Sequence, residues 1–212
     1  MHVFYLHGFA SSPKSAKAGY FASNLAASGI TLHVPDFNEP DFSSLTITRM
    51  VDQVTAVIER LPQGPVALIG SSLGAFVAVQ VALALPRRVE RLVLMAPALA
   101  FDASRTRQLG DRAHDEWKET GHLNVFHHAY GRLLPLGYQL YADACRYDCV
   151  NAALSIPILI LQGKNDTAVD PSSVERWARG RPNVELHLLD DDHQLGASLD
   201  VIWTGTRRFL NL

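Results

Sequence analysis

The chain has 212 residues, 48% of them hydrophobic, and a formal net charge of −2. That length suits one domain (1–212) with a sizeable core, and the near-neutral balance excludes the basic footprint of a nucleic-acid binder. The opening "MHVFYLHGFASSPKS" lacks a basic n-region and its apolar run breaks at His7-Gly8, so neither a secretory leader nor a membrane span is expected. Cys145 and Cys149 lie four apart with no second pair. They build neither a zinc site nor a disulfide framework, and the expectation is a metal-free, cofactor-free protein of the reducing cytoplasm.

In chain order, "HVFYLH" (2–7) reads as a strand, and Ser12-Pro13 as the N-cap and first residue of a helix running to about Ala27. "ITLHVPD" (30–36) is a second strand. "TITRMVDQVTAVIERL" (46–61) has apolar residues at helical spacing. "PVALIG" (65–70) is a third strand, followed by a run from Leu73 to Leu85 that is apolar almost all round, as a helix buried on most sides requires. "VERLVLMAP" (89–97), "IPILILQG" (156–163) and "NVELHLLD" (183–190) supply strands four to six. Asp170-Pro171 caps the helix before the last of them, and Ala197 to Leu210 is the closing helix. Strands this rich in Val, Ile and Leu, alternating with helices, indicate a parallel sheet covered on both faces.

One segment, about 101–153, interrupts the alternation. It contains a polar helix candidate, "SRTRQLGDRAHDEWKETG", ended by Gly121 as its C′ residue. An aromatic, His-rich piece follows, "HLNVFHHAYGRLLPLGYQLYADACRYD". An excursion of this length inside a compact domain carries structure of its own, and it reads as a small cap. Its Phe126, Tyr130 and Tyr138 are candidate substrate-binding residues for a mostly apolar pocket.

Gly70-Ser71-Ser72-Leu73-Gly74 fits G-x-S-x-G with Ser72 at the centre, a strand before it and a helix after it. In that context a sharp turn lifts the serine hydroxyl above the sheet. Ser71 occupies an "x" position and points elsewhere. A nucleophilic serine needs an oxyanion hole, for which the Leu73 N–H, and the Phe9 N–H in "LHGFASS" after the first strand, are the candidate donors. His7 is read as a buried histidine that hydrogen-bonds this loop. The acid and base should follow in the order Ser, Asp/Glu, His. Asp166 lies free in "GKNDTAVDP" after the fifth strand, and His193 lies in "DDDHQLG" after the sixth. Asp190, Asp191 and Asp192 are read as a solvated turn. Each candidate thus lies beyond the carboxyl end of a different strand, where open parallel sheets place their sites.

On these residues the chain resembles the α/β-hydrolase superfamily over nearly its whole length, and "YLHGFASSPKSAKA" with "IGSSLGAF" is similar to the small YqiA-type bacterial esterases. The resemblance implies a three-layer α/β-hydrolase fold with a six-stranded, mainly parallel sheet in the order 2-1-3-4-5-6. It also implies Ser72 as nucleophile, His193 as base, Asp166 as acid, and Phe9 and Leu73 as oxyanion donors. The expected function is hydrolysis of small carboxylic esters or thioesters through an acyl-serine. The expected partner is that small molecule, with neither nucleic acid nor a membrane. Carbon–carbon bond hydrolases and cofactor-free haloperoxidases use the same triad, and a non-catalytic binding protein can keep the same fold. These are the alternatives. Within "SSPKSAKA" the only role legible is helix initiation.

Overall fold

The computed structural model describes residues 1–101 and 109–212. Along the chain run β1 (His2–Leu6), α1 (Ala16–Ala26), β2 (Leu32–His33), α2 (Ile47–Arg60), β3 (Val66–Ser71), α3 (Leu73–Ala84) and β4 (Val89–Met95). An inserted region follows, with α4 (Asp111–Thr120), β5 (His122–His127), β6 (Arg132–Gly137) and α5 (Gln139–Ala144). The chain then completes β7 (Ile158–Gly163), α6 (Pro171–Ala178), β8 (Val184–Leu189) and α7 (Leu199–Leu210).

Six strands form one sheet in the order β2-β1-β3-β4-β7-β8, and each neighbouring pair is parallel. Counting only these six, the order is the expected 2-1-3-4-5-6. The strands are apolar at successive positions because both faces are covered. On β1, Val3 and Tyr5 enter a core shared with Phe21 and Leu25 of α1 and Ile202 and Leu210 of α7. Phe4 and Leu6 enter the opposite core with α2 and α3. A strand places consecutive side chains on opposite faces, so burial on both requires an unbroken apolar run. The same reasoning explains α3, whose residues from Leu73 to Ala82 are all buried. By contrast α2 buries only the stripe Ile47, Met50, Val51, Val54 and Ile58. Among the described residues no helix is long and apolar enough to cross a membrane.

Two boundaries differ most from the sequence reading. The first helix begins at Ala16 with Ser15 as N-cap, its side chain accepting from the Ala18 N–H. Ser12 instead accepts from the Lys14 N–H at 3.2 Å, which makes a separate turn. The second strand shrinks to Leu32–His33. It lies at the sheet edge beside β1 alone, and Pro35 cannot donate to a ladder. The polar helix is described from Asp111 and ends at Gly121, whose left-handed φ of 76° makes it the expected C′ glycine; residues 104–108 of the predicted helix lie outside the described residues.

The aromatic piece of the insertion is an antiparallel hairpin, with Leu123 opposite Leu136 and Val125 opposite Leu134. Its turn closes through the Gly131 N–H on the His127 carbonyl at 2.8 Å. Beneath it, Trp117 of α4 is buried and donates its indole N–H to the Leu136 carbonyl at 3.0 Å. The region is hydrogen-bonded to the main body both at its helical end and at its hairpin turn. Asp143 accepts from the N–H and hydroxyl of Thr48 at 2.7 and 2.8 Å, so α5 caps the amino end of α2. At the hairpin turn the Ala129 N–H donates to the Ala10 carbonyl, and buried His127 meets the Asn38 side chain at 2.9 Å.

Candidate active site

Ser72 stands between β3 and α3 with φ +53° and ψ −114°. A non-glycine residue there carries about 1–3 kcal/mol of strain that its surroundings must impose. Those surroundings are close backbones. A Cβ on Gly70 would lie 2.5 Å from the Ala75 Cα, and one on Gly74 would lie 2.0 Å from the Leu6 carbonyl oxygen. The two glycines therefore let α3 pack onto its own strand and onto the end of β1. The Ser72 N–H is held by the Met95 carbonyl at 2.9 Å, and its carbonyl accepts from Ala75 at 3.0 Å. Ser71, one residue earlier, ends β3 and is buried.

Asp166 follows β7, and its side chain is fully enclosed. One carboxylate oxygen accepts from the backbone N–H groups of Ala168 and Val169 at 2.9 and 2.8 Å. The other accepts from His193 Nδ1 at 2.8 Å and from Gln162 Nε2 at 2.9 Å. Burial by itself would raise the Asp166 pKa; the hydrogen bonds from His193, Val169 and Gln162 and the nearby imidazole outweigh it and hold the carboxyl below its ordinary range. An ionised carboxylate only accepts, so the imidazole proton sits on Nδ1. Nε2 is then the acceptor, and it lies 3.1 Å from Ser72 Oγ. Ser72, His193 and Asp166 thus form the hydrogen-bonded Ser–His–Asp chain typical of serine hydrolases.

The loop after β1 abuts this centre. A Cβ on Gly8 would lie 3.5 Å from the Ser72 Cβ, and the ring of the next residue, Phe9, packs on Phe42. His7 is buried, accepts the Phe37 N–H on Nε2 at 3.0 Å and donates from Nδ1 to the Gly8 carbonyl at 3.0 Å, in agreement with its reading as a loop-holding histidine. Leu73 opens α3, where N–H groups lack partners within the helix. Of the cap candidates, Phe126 and Tyr130 are exposed, and Tyr130 stacks on His127 at 4.2 Å. Tyr138 packs against Trp117 and Tyr141 between α4 and α5.

Three supporting residues escaped the sequence reading. Gln162 reads as an ordinary strand residue, yet it is wholly buried and orients the acid. Gly163 reads as a strand terminator, yet a Cβ there would lie 2.5 Å from the carbonyl oxygens of Asp191 and Asp192; its absence lets the acid and base loops touch. Leu195 is buried with φ +54° and draws the base loop onto the core. The acidic turn is also more ordered than a solvated one, since Asp192 accepts the Gln194 N–H at 2.7 Å. The spacing Gly-x-x-Asp around Gly163 and Asp166 was the available signal; nothing in sequence marks Gln162.

Comparison with known proteins agrees with this geometry. A 66-residue stretch is 41% identical to lipase LipV of Mycobacterium tuberculosis (strain ATCC 25618 / H37Rv), covering 31% of this chain and 25% of that protein. The chain therefore spans about a quarter of the length of the curated relative it matches. Among solved structures, a putative hydrolase from Agrobacterium vitis S4 superposes with a TM-score of 0.85 at 25% identity, over 98% of this chain and 87% of that one. Alpha/beta hydrolase domain-containing protein 10 from mouse superposes with a TM-score of 0.84 at 19% identity, over 99% and 89%. The fold is that of the α/β-hydrolase superfamily, and because residues 2–204 match the group described as "Uncharacterised protein family (UPF0227)", the chain belongs to that family.

Proposed function

We propose that this protein is a serine hydrolase that cleaves small carboxylic esters or thioesters by acyl transfer, in the manner of the small YqiA-type esterases. The observation that carries the reading is the continuous chain from Ser72 Oγ through His193 to Asp166, at 3.1 and 2.8 Å. His193 Nε2 takes the hydroxyl proton as Ser72 Oγ attacks the acyl carbon. Asp166 stabilises the imidazolium that forms. The tetrahedral oxyanion is held by the N–H groups of Leu73 and Phe9. Collapse expels the alcohol or thiol, which leaves with the proton from Nε2. Water then enters by the same route in reverse roles, releasing the acid and restoring Ser72. Phe126, Tyr130 and Tyr138 contact the acyl group. This placement is supported by the docking of the hairpin turn on Ala10, one residue past Phe9. Neither Cys145 nor Cys149 is in a disulfide, which fits a cytoplasmic setting.

Reaction with a fluorophosphonate probe followed by peptide mapping tests the proposal. The label is expected on Ser72, with labelling and p-nitrophenyl ester hydrolysis lost in Ser72→Ala and largely kept in Ser71→Ala. Labelling that persists in Ser72→Ala overturns it. In an acyl-length series, Phe126→Ala is expected to alter the profile, with short to medium chains preferred by the unmodified protein.

A further inference from the structure

The segment "SSPKSAKA", whose only role legible in sequence is to start a helix, reaches the loop that carries the base. Ser15 caps α1, its hydroxyl oxygen accepting from the Ala18 N–H at 3.3 Å. Two residues on, Lys17 Nζ donates to the Gln194 carbonyl at 2.7 Å, the residue after the base. One turn further, the Tyr20 hydroxyl donates to Asp200 at the start of α7 at 2.5 Å. The helix is itself anchored through buried Ala18, Phe21 and Leu25. Its first turn is therefore a strut, fixed in the core on one side and holding the base loop on the other.

We propose that Lys17 is a positioning residue for the base: by holding the Gln194 carbonyl from the first turn of α1, it fixes where His193 stands against Ser72. The proposal rests on the acyl-serine reading above. His193 lies on a loop between β8 and α7, and imidazole placement to within about 1 Å decides proton transfer. Asp192 and Leu195 shape that loop from within its own chain. Lys17 holds that loop's backbone beside the base from another element. It also places a positive charge among carboxylates, facing Asp191 and Asp192 of the base loop and Asp166 of the acid loop, while Asp200 is engaged by Tyr20. Burial lowers the Lys17 pKa from the ordinary lysine range, and those three aspartates oppose the shift. Because the acceptor is a backbone carbonyl, only a change at Lys17 removes the contact.

The test compares the protein with Lys17→Met, Lys17→Arg and, as an exposed neighbour, Lys14→Met, measuring kcat and KM on p-nitrophenyl butyrate, the melting temperature and the rate of fluorophosphonate labelling. Lys17→Met should lose about ten- to a hundredfold in kcat with KM little changed, and labelling of Ser72 should slow in step. Lys17→Arg should recover much of the rate, and Lys14→Met should match the unmodified protein. Unchanged kcat in Lys17→Met overturns the proposal, as does a rate loss that merely follows a fall in melting temperature shared by Lys17→Arg. If the unmodified protein is not labelled on Ser72, the acyl-serine reading itself fails; if it is labelled and Lys17→Met labels as fast, only the role of Lys17 fails.

Discussion

Gln162 Nε2 and His193 Nδ1 converge on the same carboxylate oxygen of Asp166, at 2.9 and 2.8 Å. The glutamine comes from inside β7 and is wholly buried, so the acid is braced from the sheet as well as from its own loop.

Removing this brace separates activity from stability. A hydrogen bond to a charged group is worth about 1.5–3 kcal/mol. The buried Gln162 Oε1, however, has no partner among the described residues, and Gln162→Leu eliminates that cost. The variant is expected to melt within a few degrees of the unmodified protein while kcat falls about tenfold, because one fewer donor orients the acid. Thermal melts and steady-state kinetics on one preparation check this. A large loss of stability with kcat intact contradicts it.

The acid assignment predicts a ranking. Asp166→Asn leaves the wrong imidazole tautomer facing Ser72 and should lower kcat by about 10³–10⁴-fold. Asp192→Asn loosens the turn that holds Gln194 and should cost far less. Asp190→Asn, which gives up only an exposed contact with Asn165 at 3.3 Å, should cost least. Parallel kinetics on the three variants decide it.

Stability should carry the same signature in acid. The Asp166 pKa is lowered in the folded protein, so its contribution is complete above the unfolded aspartate value of about 3.9 and disappears as pH falls through the lower folded value. Urea midpoints of the unmodified protein and Asp166→Asn should therefore differ most near neutrality. The gap should close only in the most acidic range, below the ordinary aspartate value. A constant gap across that range would place the stabilising charge elsewhere.

The elbow glycines supply a steric prediction. Gly74→Ala drives a Cβ toward the Leu6 carbonyl, a backbone atom 2.0 Å away, and should destabilise by about 3 kcal/mol, the upper part of the usual over-packing range. Gly19→Ala meets nothing within 4 Å inside α1 and should stabilise by about 0.5–1 kcal/mol. Denaturant midpoints of opposite sign are the expected result.

Local physics made much of this protein legible from the sequence. The apolar runs of β1, β3, β4 and β7 follow from burial on both sheet faces, and the Gly70 to Gly74 pentad follows from the close approach of strand and helix. The order Ser72, Asp166, His193 follows from the rule that loops at the carboxyl edge carry the chemistry. The tertiary structure decided what depends on partners distant in sequence. It assigned Asp166, rather than the three aspartates adjacent to His193, to the imidazole, because a loop 27 residues earlier packs its backbone against the base loop. It shortened the second strand to two residues, since an edge strand has one neighbour to pair with. It folded "HLNVFHHAYGRLLPLG" into a hairpin whose alternation is obscured by exposed Phe126 and Leu133. And it gave Lys17, 176 positions from His193 and indistinguishable in sequence from any surface lysine, a carbonyl to hold at the base. Hydrophobic patterning is a property of neighbouring residues, whereas a hydrogen bond across the fold exists only after both segments have been packed into place.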